Sequence, residues 1–96
     1  MIEPERSVAF PLGQVVVTDD AMAEIVLAGQ TVDEFVFRHL TGDWGEVDEV
    51  AWELNNQSVR VGGLIQSVYS TDWGDEIWIV TRKDRSVTTV LSGNEF

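Results

Sequence analysis

Between Val61 and Leu64 the spacing of apolar residues changes, and that change limits what the chain can fold into. Before Gly62-Gly63, apolar side chains recur at three- and four-residue intervals, the period of a helix face. After the two glycines they alternate, the period of a strand. The second part reads as three strands, Leu64–Ser70, Glu76–Thr81 and Ser86–Leu91, with short loops at 71–75 and 82–85. Loops that short predict an antiparallel meander. Ile77-Trp78-Ile79-Val80 is apolar on both faces, which suits a central strand and makes Trp78 a core residue.

The first part opens with a short β-branched run, Gln14-Val15-Val16-Val17-Thr18, which favours a strand and can join the meander as a fourth. Thr18 suits the N-cap of a first helix over about 19–28, with Asp19 and Asp20 in its first turn and Gly29 at its end. Thr31-Val32-Asp33-Glu34 is a capping box, and Val32, Phe35, Val36 and Leu40 share one face of the helix it starts. Asp48 predicts the N-cap of a third helix reaching about Val59, with Val47 and Trp52 as a staple and Ala51, Leu54, Ser58 and Val59 as its buried stripe. The expected fold class is α+β: a two-layer sandwich of an N-terminal strand, three helices and a three-stranded antiparallel meander. Residues 1–9 lack periodicity and read as a flexible arm, and residues 10–96 as a single domain.

Charge is unevenly distributed. Residues 19–53 hold ten acids against Arg38 alone, so most of the net −11 lies in the middle third. Such a field repels nucleic acid and anionic membrane and attracts basic protein surfaces. The plainer reading is that acidity serves solubility or a salt-adapted host. There is no cysteine, no basic n-region ahead of an apolar run, and no apolar stretch long enough to span a bilayer. The expected address is therefore cytoplasmic, with no membrane partner.

Chemistry finds little support. His39 is the only histidine and has no second imidazole with which to share a metal. It either pairs with Asp43 as an acid–base couple or serves the C-terminal end of the second helix, as a dipole-stabilising cation or a cap. Asp43, Glu46, Asp48 and Glu49 do not have the spacing of an EF-hand loop, and no nucleophile elbow or phosphate-cradling loop is present. No catalytic residue, metal or cofactor is expected. A binding surface is expected instead, with Asp43, Glu46, Asp48, Glu49 and Glu53 as its field and Trp44 as its aromatic anchor. The alternative for Trp44 is that it folds back and plugs the helix–sheet junction. Asp43-Trp44-Gly45-Glu46 is echoed by Asp72-Trp73-Gly74-Asp75, two turns in which Trp covers nearby apolar surface.

Three stretches carry a resemblance: Phe10-Pro11-Leu12-Gly13-Gln14-Val15-Val16, RHLTGDWGEVDE at 38–49, and Ile77-Trp78-Ile79-Val80-Thr81 with Asp84-Arg85-Ser86-Val87-Thr88-Thr89-Val90-Leu91. They resemble a family of small, acidic, largely uncharacterised bacterial proteins of plasmids and integrative elements, some labelled as restriction subunits. Lys83 departs from that pattern, where an acid or alanine is usual. The resemblance implies a mobile-element setting. It raises the expectation of an antirestriction or anti-CRISPR-like inhibitor whose carboxylates mimic nucleic-acid phosphates toward a nucleic-acid-binding host complex. The competing expectation is a structural or accessory protein, homodimeric through a sheet edge.

Overall fold

The computed structural model describes residues 9–95. Strand β1 (Gln14–Val17) leads into helices α1 (Asp19–Leu27), α2 (Val32–Leu40) and α3 (Glu49–Val61), followed by strands β2 (Ile65–Ser70), β3 (Glu76–Thr81) and β4 (Val87–Ser92). A short 3-10 turn, Gly93–Glu95, follows β4. The class is α+β, as the periodicity predicts. The four strands lie in the order β1-β4-β3-β2. The meander is antiparallel, and β1 joins it parallel to β4, with Gln14 opposite Val87 and Val17 opposite Val90. The sheet is therefore mixed, because the three-helix crossover returns the chain in the direction β1 left it.

Local chemistry sets the helix starts. The Thr18 hydroxyl accepts from the Ala21 amide, Thr31 and Glu34 complete the capping box, and Asp48 accepts from the Ala51 amide at 2.8 Å. One face of the sheet carries Ile65, Ser67 and Tyr69 of β2, Ile77, Ile79 and Thr81 of β3, and Thr88, Val90 and Ser92 of β4, all buried. Ala21 and Ile25 of α1 and Phe35 of α2 pack there against Tyr69, Ile77, Ile79 and Val90. A second cluster gathers Phe10, Trp44 and Ile65 with Val47, Trp52 and Val59, and it seats α3 beside β2.

Three expectations need correction. First, α3 is rotated from its predicted face. Trp52 and Val59 point to the core and Asn55 is buried, while Leu54 is 55% exposed. The cause is Asn55, whose side-chain amide donates to the Gln66 carbonyl and accepts from the Gln66 amide, extending the sheet by one rung. Second, Trp78 is only partly buried, because it lies on the sheet face opposite the core. Third, residues 1–8 of the expected arm lie outside the described residues, but Ala9 is anchored. Its amide donates to the Leu40 carbonyl at 3.0 Å, and its side chain packs on the second cluster.

Candidate protein-binding surface

The loop joining α2 to α3 is held from three sides. Arg38 Nε donates to Asp43 Oδ2 at 2.8 Å, and the other Asp43 oxygen accepts from the Gly45 amide at 3.1 Å. The Arg38 hydrogen bond holds the Asp43 carboxyl below its ordinary range, with the Gly45 amide assisting, and Arg38 is raised in return. The Arg38 guanidinium lies 4.5 Å above the Tyr69 ring, and the Tyr69 hydroxyl donates to the Asp43 carbonyl at 2.6 Å. Gly45 then bridges to Val68 in parallel: Glu46 N donates to the Val68 carbonyl and Val68 N to the Trp44 carbonyl. This bridge and Asn55 together close the outer edge of β2.

Trp44 takes the second of its two alternatives. It is 1% exposed, its ring set against Phe10 and edge-on to His39, and its indole N–H donates to Asn56 Oδ1 at 2.9 Å. It is therefore not placed at the surface as a partner anchor. The reason is that the Gly45 bridge pulls its backbone onto β2, where α3 closes over the ring. The exposed counterpart is Trp73, at 68%. The echo between the two Asp-Trp-Gly runs held the signal for it, but the residues alone do not say which tryptophan faces out.

The remaining predicted site residues do not form one cluster. Glu46 accepts from the Ser70 hydroxyl at 3.0 Å, and Asp48 is committed to its cap. Glu49 and Glu53 are exposed, and at 100° per residue they lie on the side of α3 away from Ala51 and Leu54. Among the described residues only one ion pair forms, Arg38–Asp43. The acids of the middle third are thus largely uncompensated within the chain.

His39 serves neither of its predicted roles. Asp43 is bound by Arg38, and the imidazole is fully buried beneath α2. Its Nδ1 faces Ser67 Oγ and its Nε2 faces Thr81 Oγ1 at 2.9 Å. Proton counting fixes the tautomer. Thr88 spends its proton on the Leu12 carbonyl, so Thr81 donates to Thr88, and Nε2–H donates to Thr81. Ser67 then donates to Nδ1. Burial pushes the His39 pKa down to about 3, so the ring is neutral and cannot act as a cation at the helix end.

Among the described residues no group of three His, Asp or Glu side chains is placed to hold a metal ion, and no helix is long and apolar enough to cross a membrane. A groove of about 400 Å³ runs between α3 and the outer face of the sheet, lined mainly by apolar side chains. No family model matches the chain, and neither a curated protein nor a solved structure matches it.

Proposed function

We propose that the chain is an acidic binding module that engages a basic protein surface. The observation that carries this reading is that the described residues of a chain of net charge −11 form a single ion pair. Carboxylates left without cations inside the molecule attract cations outside it, and the effect weakens with salt. Basic surfaces of this kind line the phosphate-binding channels of nucleic-acid-processing complexes. With the motif resemblance, the reading extends to a mobile-element protein that occupies such a channel and inhibits a host defence complex. The buried, neutral His39 supports binding over catalysis.

The test is capture of host-lysate proteins on the immobilised chain, beside a Glu49→Lys/Glu53→Lys variant whose substitutions lie on an exposed helix face. The captured protein should be lost with the variant and displaced by added duplex DNA. Capture that ignores both changes sinks the proposal.

One observation favours a second reading, a homodimer through a sheet edge. The β2 edge is closed, but β1 is an edge strand with Val15 and Val16 about 40% exposed. Gln14 N donates to Ser86, just ahead of β4, and Thr18 N to Val90 of β4, so by alternation Val15 and Val17 direct their backbone groups outward. A dimer formed there sediments as a dimer at high and low salt alike. A monomer at both rules it out.

A further inference from the structure

The outer face of the sheet is where sequence and structure differ most. Ile77-Trp78-Ile79-Val80 has the composition of a strand covered on both sides, but α1 and α2 cover only the face bearing Ile77 and Ile79. On the other face Val68 pairs with Trp78 and Trp78 with Leu91, a cross-strand apolar row that is half-buried. Helix α3 borders this row, and Val47, Ala51, Leu54, Leu64, Val68 and Trp78 line the groove between them. Leu54 and Leu64 are more than half exposed, and Val50 and Val61 extend the apolar strip along α3 at 70% and 80% exposure. Exposed apolar surface this continuous marks an interaction site.

The polar groups around the groove select its occupant. The Asn55 side chain is engaged with the Gln66 backbone, so the floor offers a polar ligand little beyond the Gln66 side-chain amide. The charged side chain in its lining and those bound beside Trp78 and on β2 are acids. Asp48 lies in the lining, Glu76 accepts from the Trp78 indole N–H at 2.8 Å, and Glu46 is bound to Ser70, next but one to Val68 on β2. Among the described residues no cation contributes to the lining. A second copy would bring these carboxylates, and two chains of −11, against each other. A cationic partner with an apolar ridge satisfies both floor and margin. The 13 residues of α3 give a wall of about 20 Å, matched by three to four turns of a helix whose apolar residues recur at i, i+3, i+4 and i+7.

We propose that this groove receives the apolar face of a basic amphipathic helix from a partner protein. The proposal rests on the reading of the chain as a binder of basic surfaces. It moves the specific contact from the far side of α3, where Glu49 and Glu53 lie, to the groove side.

The probe is a fluorescein-labelled Leu/Lys peptide of about 18 residues in helical pattern. Its control has the same lysines with serine in place of leucine. The patterned peptide should bind at least about tenfold more tightly than the control, a difference of about 1.4 kcal/mol. Leu54→Asp should abolish that preference although it adds a negative charge, and Leu64→Asp, at a second exposed position, should do the same. Both variants should keep the parent Tm. Glu49→Lys/Glu53→Lys should weaken both peptides by a similar factor. Equal binding of the two peptides, or no binding of either, overturns the groove proposal. A preference that survives Leu54→Asp and Leu64→Asp overturns it as well. So does self-association of the parent that Leu54→Asp abolishes, because the occupant is then a second copy. If the preference holds while Glu49→Lys/Glu53→Lys changes nothing, the groove stands and the broader acidic-surface reading falls.

Discussion

Asp43-Trp44-Gly45 and Asp72-Trp73-Gly74 share their residues and the positive φ of their glycines, 77° and 93°, but Trp44 is 1% exposed and Trp73 68%. In the first turn Asp43 caps the amide of Gly45, two residues on. In the second, the capping oxygen is one residue earlier: the Thr71 hydroxyl accepts from the amides of Trp73 and Asp75. That one-residue shift in frame changes where each tryptophan starts. Tertiary contacts complete the difference. The first turn docks on β2 through Gly45 and is closed over by α3 and Phe10, whereas the second is the tip of the β2–β3 hairpin. A shared tripeptide fixes a turn, and its surroundings decide what the turn does.

The two tryptophans should therefore differ most when truncated. Trp44→Ala removes a buried ring and strands the Asn56 carbonyl partner, a loss of about 3–5 kcal/mol. Trp73→Ala should cost no more than about 0.5 kcal/mol. Denaturant unfolding of both variants checks this. Equal losses would mean that the second turn is packed as tightly as the first.

The glycines should separate next. A Cβ on Gly45 meets the Val68 carbonyl oxygen at 2.1 Å and the Tyr69 ring at 2.6 Å, and the positive φ adds strain. Overpacking and backbone strain together predict a loss of about 2–4 kcal/mol for Gly45→Ala. At Gly74 a Cβ meets nothing within 4 Å, so only the backbone penalty of roughly 1–2 kcal/mol applies. Thermal unfolding of the pair gives the ranking, and a reversed order would contradict the Gly45–Val68 bridge.

Most of the fold could be read from local patterns. Thr18, Thr31 and Asp48 cap the helices that their positions predict, and the alternation after Gly63 yields the meander. What could not be read depended on contacts distant in sequence. The rotation of α3 follows from Asn55 meeting Gln66, and no helical wheel places a polar residue inward in preference to Leu54. The parallel seating of β1 follows from the crossover, not from its own four residues. For the candidate site, the concentration of acids is legible in the residues, and the choice between an outward and an inward Trp44 is not. Glu49 and Glu53 are exposed, whereas Trp44 is buried and Trp78 lies on the groove because α1 and α2 pack on the opposite face of the sheet.

His39 tests the interior behind the first turn, since its ring lies 5.8 Å from that of Trp44. The His39 pKa is about 3 in the folded chain and about 6.5 when unfolded. Between these values the unfolded chain binds a proton that the folded chain does not, so stability rises with pH there. The contribution is complete above about pH 6.5 and is lost as the pH falls toward 3. From pH 6.5 to 4.5 the loss amounts to about 2–3 kcal/mol. Relief of repulsion as surface carboxylates protonate acts in the opposite direction, but it acts equally on a His39→Gln variant. Glutamine keeps a donor for Thr81 and has no proton to gain, so the variant, though less stable at pH 7, should lack this slope. Denaturant midpoints of both proteins across pH 4.5–7 measure the difference. Parallel profiles would mean that the imidazole is protonated inside the fold, and the donor chain from Ser67 through His39 to Leu12 would have to run differently.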